Sequence, residues 1–180
     1  MKCSRGFSLL ELLVVMLVIT MMMSLANLGV SSGGRDIRLK GQLESLAALC
    51  NYVLDEAQAT GIDRGLYLAY VSTASGERVQ WQWLERQNRS WQAVSQDRQL
   101  LSDAQLPDHV DVSLLLDDQP AQDLPGFGDV EAPIPQLQFF ADGETIPGSL
   151  VVRERDSGRL LWEISWDLLG RFELIDMTGE

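Results

Sequence analysis

The sequence predicts an α+β chain, a long N-terminal helix packed on a C-terminal antiparallel β-sandwich. Three observations carry the prediction. Residues 7–28 are apolar almost without interruption, residues 36–60 repeat apolar positions at alternating spacings of four and three, and beyond Gly65 the period falls to two. With 180 residues, the chain has length for one good core beyond the apolar segment.

Residues 1–6 are short and polar and carry two cations, Lys2 and Arg5. The apolar run that follows contains a single carboxylate, Glu11. As a helix rising 1.5 Å per residue, residues 7–28 would reach about 33 Å, close to the roughly 30 Å of bilayer hydrocarbon. A carboxylate at a helix centre in a membrane costs roughly 2.5–3.5 kcal/mol. Glu11 therefore calls for a partner or a function, although its place one turn from the start lowers the cost. An ordinary signal peptide has a cationic start, an apolar core and small residues before its cut; residues 24–26, Ser-Leu-Ala, imitate such a site, but an acid inside the apolar core argues against it. A plain anchor requires neither Gly6-Phe7 nor Glu11. A soluble core helix is rarely apolar on every side over this length.

Between the two helical patterns, residues 27–34 contain Gly29, Gly33 and Gly34, each costing about 1 kcal/mol of helix propensity, so a weak point or bend is expected there. The amphipathic part then presents Leu39, Leu43, Leu46, Cys50, Val53 and Ala57 as one apolar stripe, opposite a solvated face of Lys40, Glu44, Asn51, Asp55 and Gln58. Gly61 is the expected C-terminal stop. The stripe is too short for a stable coiled coil, so it is expected to pack on the chain's own sheet.

Eight strands are expected after it: 66–71, 79–85, 91–94, 110–116, 137–140, 149–155, 160–166 and 171–175. Trp81 and Trp83 share one face of the second, and Leu160, Trp162, Ile164 and Trp166 one face of the seventh. Residues 86–89 and 156–158 read as turns, the latter with Gly158 where positive φ is needed. Eight such segments suggest two packed antiparallel sheets. Residues 117–136 hold four prolines, two glycines, five acids and no base, and read as a loop. A loop of that length in a compact domain is functional or disordered.

The run Gly6-Phe7-Ser8-Leu9-Leu10-Glu11-Leu12-Leu13 resembles the prepilin-type N-terminus of type IV pilins and of the pseudopilins of type II secretion. The resemblance implies a cut between Gly6 and Phe7 by a membrane aspartyl peptidase and methylation of the new amine on Phe7. Glycine suits the close approach of a protease, and the freed cationic amine is a natural counter-charge for Glu11 of an adjoining subunit. Further on, Phe140-Ala141-Asp142-Gly143 and Leu169-Gly170-Arg171-Phe172-Glu173 are similar to the end of the minor pseudopilin H family of the general secretion pathway, although Ala141 stands where many relatives carry proline.

The resemblance implies a pilin-like fold divided into a leader 1–6, a transmembrane half-helix 7–29, an amphipathic periplasmic half 30–61 and a β-rich head 62–180. It implies a single-pass inner-membrane protein of a Gram-negative bacterium with its head in the periplasm, built into a pseudopilus near its tip. The partners it implies are the prepilin peptidase, the major and other minor pseudopilins, the inner membrane and the secreted substrate. A minor type IV pilin serving pilus assembly or DNA uptake is the alternative. Positive-inside counting leaves the orientation open, since Lys2 and Arg5 face Arg35, Arg38 and Lys40 across the span.

The formal charge is −12, two units more negative once Lys2 and Arg5 are removed. Such acidity disfavours nucleic acid as a partner, because phosphate binding needs a basic footprint, and likewise adhesion to anionic lipid. A single-span anchored periplasmic enzyme is the remaining class. His109 is the only histidine, no Gly-x-Ser-x-Gly occurs, and neither a zinc site nor a Ser-His-Asp triad can be assembled. His109 reads as a turn residue. Asp55-Glu56 and Asp117-Asp118 read as solvated charge. Clustered oxygens within 117–131 lack EF-hand spacing. No catalytic residue, metal or cofactor is expected. Cys3 leaves with the leader, and Cys50 reads as a small buried apolar residue rather than half of a disulfide.

Overall fold

The computed structural model describes residues 9–74, 76–95, 99–117, 119 and 123–179, with the side chains of 23–33 left outside that description. Its contacts divide the chain into two compact units, Met1–Leu39 and Lys40–Glu180. Helix α1 is Leu9–Thr60. Its assignment runs through 27–34 without interruption, so the three glycines expected to weaken it do not end it. Gly61 does. Its φ is 68°, and its N–H donates to the carbonyl of Ala57 at 2.9 Å, the left-handed closure that glycine adopts at least cost.

Among the described residues nine strands follow. Sheet 1 contains β1 (Arg64–Thr73), β2 (Gly76–Gln87), β3 (Ser90–Ala93), β4 (Ala104–Gln105) and β6 (Leu137–Phe139) in the order β3-β2-β1-β6, with β4 also on β2. Sheet 2 contains β5 (Val110–Leu116), β7 (Gly148–Glu154), β8 (Leu160–Trp166) and β9 (Glu173–Asp176) in the order β5-β7-β8-β9. Every strand ladder is antiparallel. The turn expected at 86–89 is a two-residue hairpin closure: Gln87 pairs with Ser90, and Asn88 and Arg89 both have positive φ, the pairing that matches strand twist. Gly158, at φ 70°, closes the turn between β7 and β8. The eight expected strands are present, β5 and β8 with the expected ends and the other six with shifted ends. β4, only two residues long, had no readable pattern.

Within the unit Lys40–Glu180 the apolar stripe of α1 is buried at Leu43, Leu46, Cys50, Val53 and Ala57, and the face carrying Lys40, Glu44, Asn51, Asp55 and Gln58 is exposed. The helix packs on both sheets rather than one. Leu46 and Cys50 meet Leu66 and Leu68 of β1, Leu114 of β5, Leu150 of β7 and Trp166 of β8 around a void of about 10 Å³, the space of roughly one water. Each fully buried leucine of this set is worth about 1.5–3 kcal/mol. A run of aromatic rings crosses the same interior, from Trp83 to Phe139 (6.1 Å between centroids), Phe172 (5.9 Å) and Trp166 (5.2 Å). Cys50 is buried and free, and burial pushes its thiol far up, so it serves as an apolar core atom.

The sheets are also joined at their polar margin. The Tyr70 hydroxyl of β1 donates to Asp111 Oδ1 of β5 at 2.6 Å. Arg155, after β7, donates to the carbonyls of Glu77 (2.7 Å) and Val110 (3.2 Å). Burial, then the bond to Asp111, pushes the Tyr70 hydroxyl up to about 12. A phenol held neutral above its unfolded value stabilises fully below pH about 10, and that contribution is lost as pH rises toward 12. Tyr70→Phe is therefore expected to flatten the alkaline limb of a stability curve measured in that window. An unchanged limb would show that the Tyr70–Asp111 bond does not join the sheets.

Candidate assembly site

Gly6 and Phe7, the residues of the expected cut and methylation, lie outside the described residues. Glu11 stands in the first turn of α1. It is exposed among side chains that are themselves exposed and apolar, Leu9, Leu10, Leu12 and Leu13. The helix forms here because leucine and methionine lose little rotamer freedom in it, and a carboxylate is favoured in the first turn by the macrodipole. Thr20, the one other polar side chain of 9–22, bonds back to the carbonyls of Met16 (3.0 Å) and Leu17 (2.9 Å), which satisfies it without water. The segment is thus a helix apolar on all sides with one carboxylate near its start. It can bury itself against lipid or like helices, and accept a cation at that level. Among the described residues no helix is long and apolar enough to cross a membrane; the expected span 7–29 includes residues outside them.

The two weaker motifs meet at the other end of α1. Phe140-Ala141-Asp142-Gly143 forms a tight turn with Gly143 at φ 92°, its N–H donating to the Phe140 carbonyl at 3.0 Å. The Ala141 N–H donates to Asp63 Oδ1 at 3.0 Å, and the Gln58 side chain lies over Gly143. Gly170, at φ 65°, lies against Leu54 and Thr145. Buried Thr145 bridges the two turns, its N–H donating to the Leu168 carbonyl and its hydroxyl to the Asp167 carbonyl, each at 2.9 Å. Phe172 then stacks on Trp166. These motifs fasten the end of the helix to the head.

An ion-pair network at the same end was not read from the sequence. Arg64 of β1 is 2% exposed and donates to Glu85 Oε2 of β2 (2.7 Å) and Glu56 Oε1 of α1 (2.9 Å). Glu85 Oε1 accepts from Gln87 Nε2 and from Ser95 Oγ. Glu56 therefore turns inward while Asp55 is exposed, so only half of that acid pair is solvated charge. Asp117 is exposed, and Asp118 lies outside the described residues. His109 sits in the turn before β5, its Nδ1 4.0 Å from Asp108. Among the described residues no group of three or more His, Cys, Asp or Glu could hold a metal.

Residues 1–27 match the prokaryotic N-terminal methylation motif. Over 168 residues the chain is 32% identical to type II secretion system protein H of Pseudomonas aeruginosa, covering 89% of this chain and 90% of the relative. The chain belongs to the type II secretion system protein H family. The same-named protein of Aeromonas hydrophila is 27% identical over 191 residues, with 97% of this chain and 95% of the relative covered. The fold is shared with the minor pseudopilin EpsH from the type 2 secretion system of Vibrio cholerae, at a TM-score of 0.61 and 18% identity over 79% of this chain and 98% of that one. The solution structure of E. coli GspH is similar at a TM-score of 0.53 and 17% identity, covering 80% and 92%. The α+β architecture expected from the periodicity and the minor pseudopilin role expected from the resemblance are those of the protein H family, a family of structural subunits.

Proposed function

We propose that the chain is cut between Gly6 and Phe7, methylated at Phe7, anchored in the inner membrane by the helix from Phe7, and incorporated near the tip of a periplasmic pseudopilus. There it links a tip complex to the major subunit during protein export, and it performs no catalysis. The observation that carries this reading is the co-occurrence, in one protein H chain, of the methylation motif over residues 1–27 with an exposed carboxylate in the first turn of the apolar stretch that opens α1. A methylated amine on Phe7 keeps its positive charge. Glu11 of a neighbouring subunit pairs with it in an apolar bundle where screening is weak, and the pair sets the axial register.

The exposed face of α1 within residues 40–58 turns toward the shaft in this reading. The acidic head suits partners with basic faces. Glu11→Leu removes a membrane-costly carboxylate, so insertion is expected to persist or improve while incorporation into the pseudopilus and export fall by about tenfold or more, the worth of one charge-assisted contact. Membrane fractionation, co-purification with the major subunit and secretion assays read the two effects separately. A Glu11→Leu chain that assembles and supports export normally would remove the pairing.

A further inference from the structure

The edge of β1 is closed in an unusual way. β6 pairs with β1 only at Arg64, Gly65 and Leu66, and residues 123–136 close the next two edge-facing positions. At Leu68 a side chain does it: the Leu68 N–H donates to Gln136 Oε1, and Gln136 Nε2 donates to the Leu68 carbonyl, each at 2.9 Å. One amide thus reproduces the exchanged bonds of an antiparallel residue pair. At Tyr70 the N–H donates to the Pro125 carbonyl (2.8 Å), and the Phe127 N–H donates to the Tyr70 carbonyl (2.7 Å). Both ends of the segment are seated, with Leu124 and Pro135 buried, and Pro135 rests on Gly65, where a Cβ would overlap its ring. The loop expected at 117–136 is therefore, over its described part 123–136, a strap lying on the sheet.

We propose that this strap is an edge guard, holding the β1 edge so that it cannot pair with the β1 edge of a second copy. The amide of Gln136 offers one donor and one acceptor to a single residue. A two-fold axis at Tyr70 would set Tyr70 against Tyr70 and Leu68 against Ser72 of a second copy while leaving Leu66 to β6, and so such a copy is the natural rival. The strap does not become a new edge in its turn, because Pro125, Pro133 and Pro135 supply no N–H. It also carries Asp123, Asp129 and Glu131 with no lysine or arginine, so two straps repel at close range.

The test uses the detergent-solubilised full chain, with Gln136→Leu, which keeps the size and removes the amide, and Gly65→Ala, which displaces Pro135 from the opposite side. Both variants are expected to self-associate about tenfold or more tightly than the unchanged chain by light scattering across a concentration series, with the Leu68 amide exposed to hydrogen exchange at low concentration and protected at high. Self-association equal to that of the unchanged chain in both variants, with circular dichroism showing a folded head, overturns the proposal. Unfolding of both variants overturns it too, since residues 123–136 would then be structural core rather than a guard.

Discussion

Replacing Arg64 by methionine is expected to lower the stability of the unit Lys40–Glu180 by about 3–5 kcal/mol, the cost of leaving a buried charge without its partner. Glu85 is 3% exposed and keeps only the Gln87 amide and the Ser95 hydroxyl once the guanidinium is gone. Glu56 loses the bond that ties α1 to β1. The double variant Arg64→Met with Glu85→Gln is expected to recover a large part of that loss, because a neutral amide can be buried with its hydrogen bonds where a lone carboxylate cannot. Urea unfolding of the four members of this cycle measures the coupling. Additive losses would mean that Arg64 and Glu85 act independently and that the network does not fasten the helix to the sheet.

Gly170→Ala is expected to cost about 2–5 kcal/mol through two effects. A non-glycine residue at φ 65° carries roughly 1–2 kcal/mol of strain, and the added Cβ overlaps Leu54 Cδ2 of α1, an overpacking worth about 1–3 kcal/mol. Gly158→Ala separates the two, since Gly158 has φ 70° but nothing within 4 Å of the new Cβ; only the strain, about 1–2 kcal/mol, is expected there. Equal losses at both positions in thermal or urea unfolding would show that Gly170 is not in close contact with the helix.

Much of the architecture was legible in the sequence for physical reasons. The stripe from Leu43 to Ala57 and the alternation around Trp81 and Trp83 are periodic, and periodicity is what burial on one face imposes. Legibility failed where burial is two-sided or the partner is distant. Residues 64–69 of β1 are buried without alternation, one side against the helix and core and the other in a cluster of Tyr67, Ala69 and Leu84 with Trp91, with Pro135 over Gly65, so Arg64 carried no sign of an interior charge. The strap shows only turn chemistry, and its bond to Leu68 spans 68 positions. The glycines of 27–34 lower helix propensity, yet the helix continues through them. The N-terminal motif was the easiest to read because Gly6, Phe7 and Glu11 fall within one linear pattern, the methylation motif over residues 1–27, and need no fold to bring them together.

Processing at Gly6-Phe7 is tested most directly by the intact mass of the protein from cells with and without the prepilin peptidase. The predicted result is a chain lacking residues 1–6 and carrying one added methyl group in the first case, and an uncut, unmethylated chain in the second. A chain that still begins at Met1 in peptidase-competent cells would contradict it.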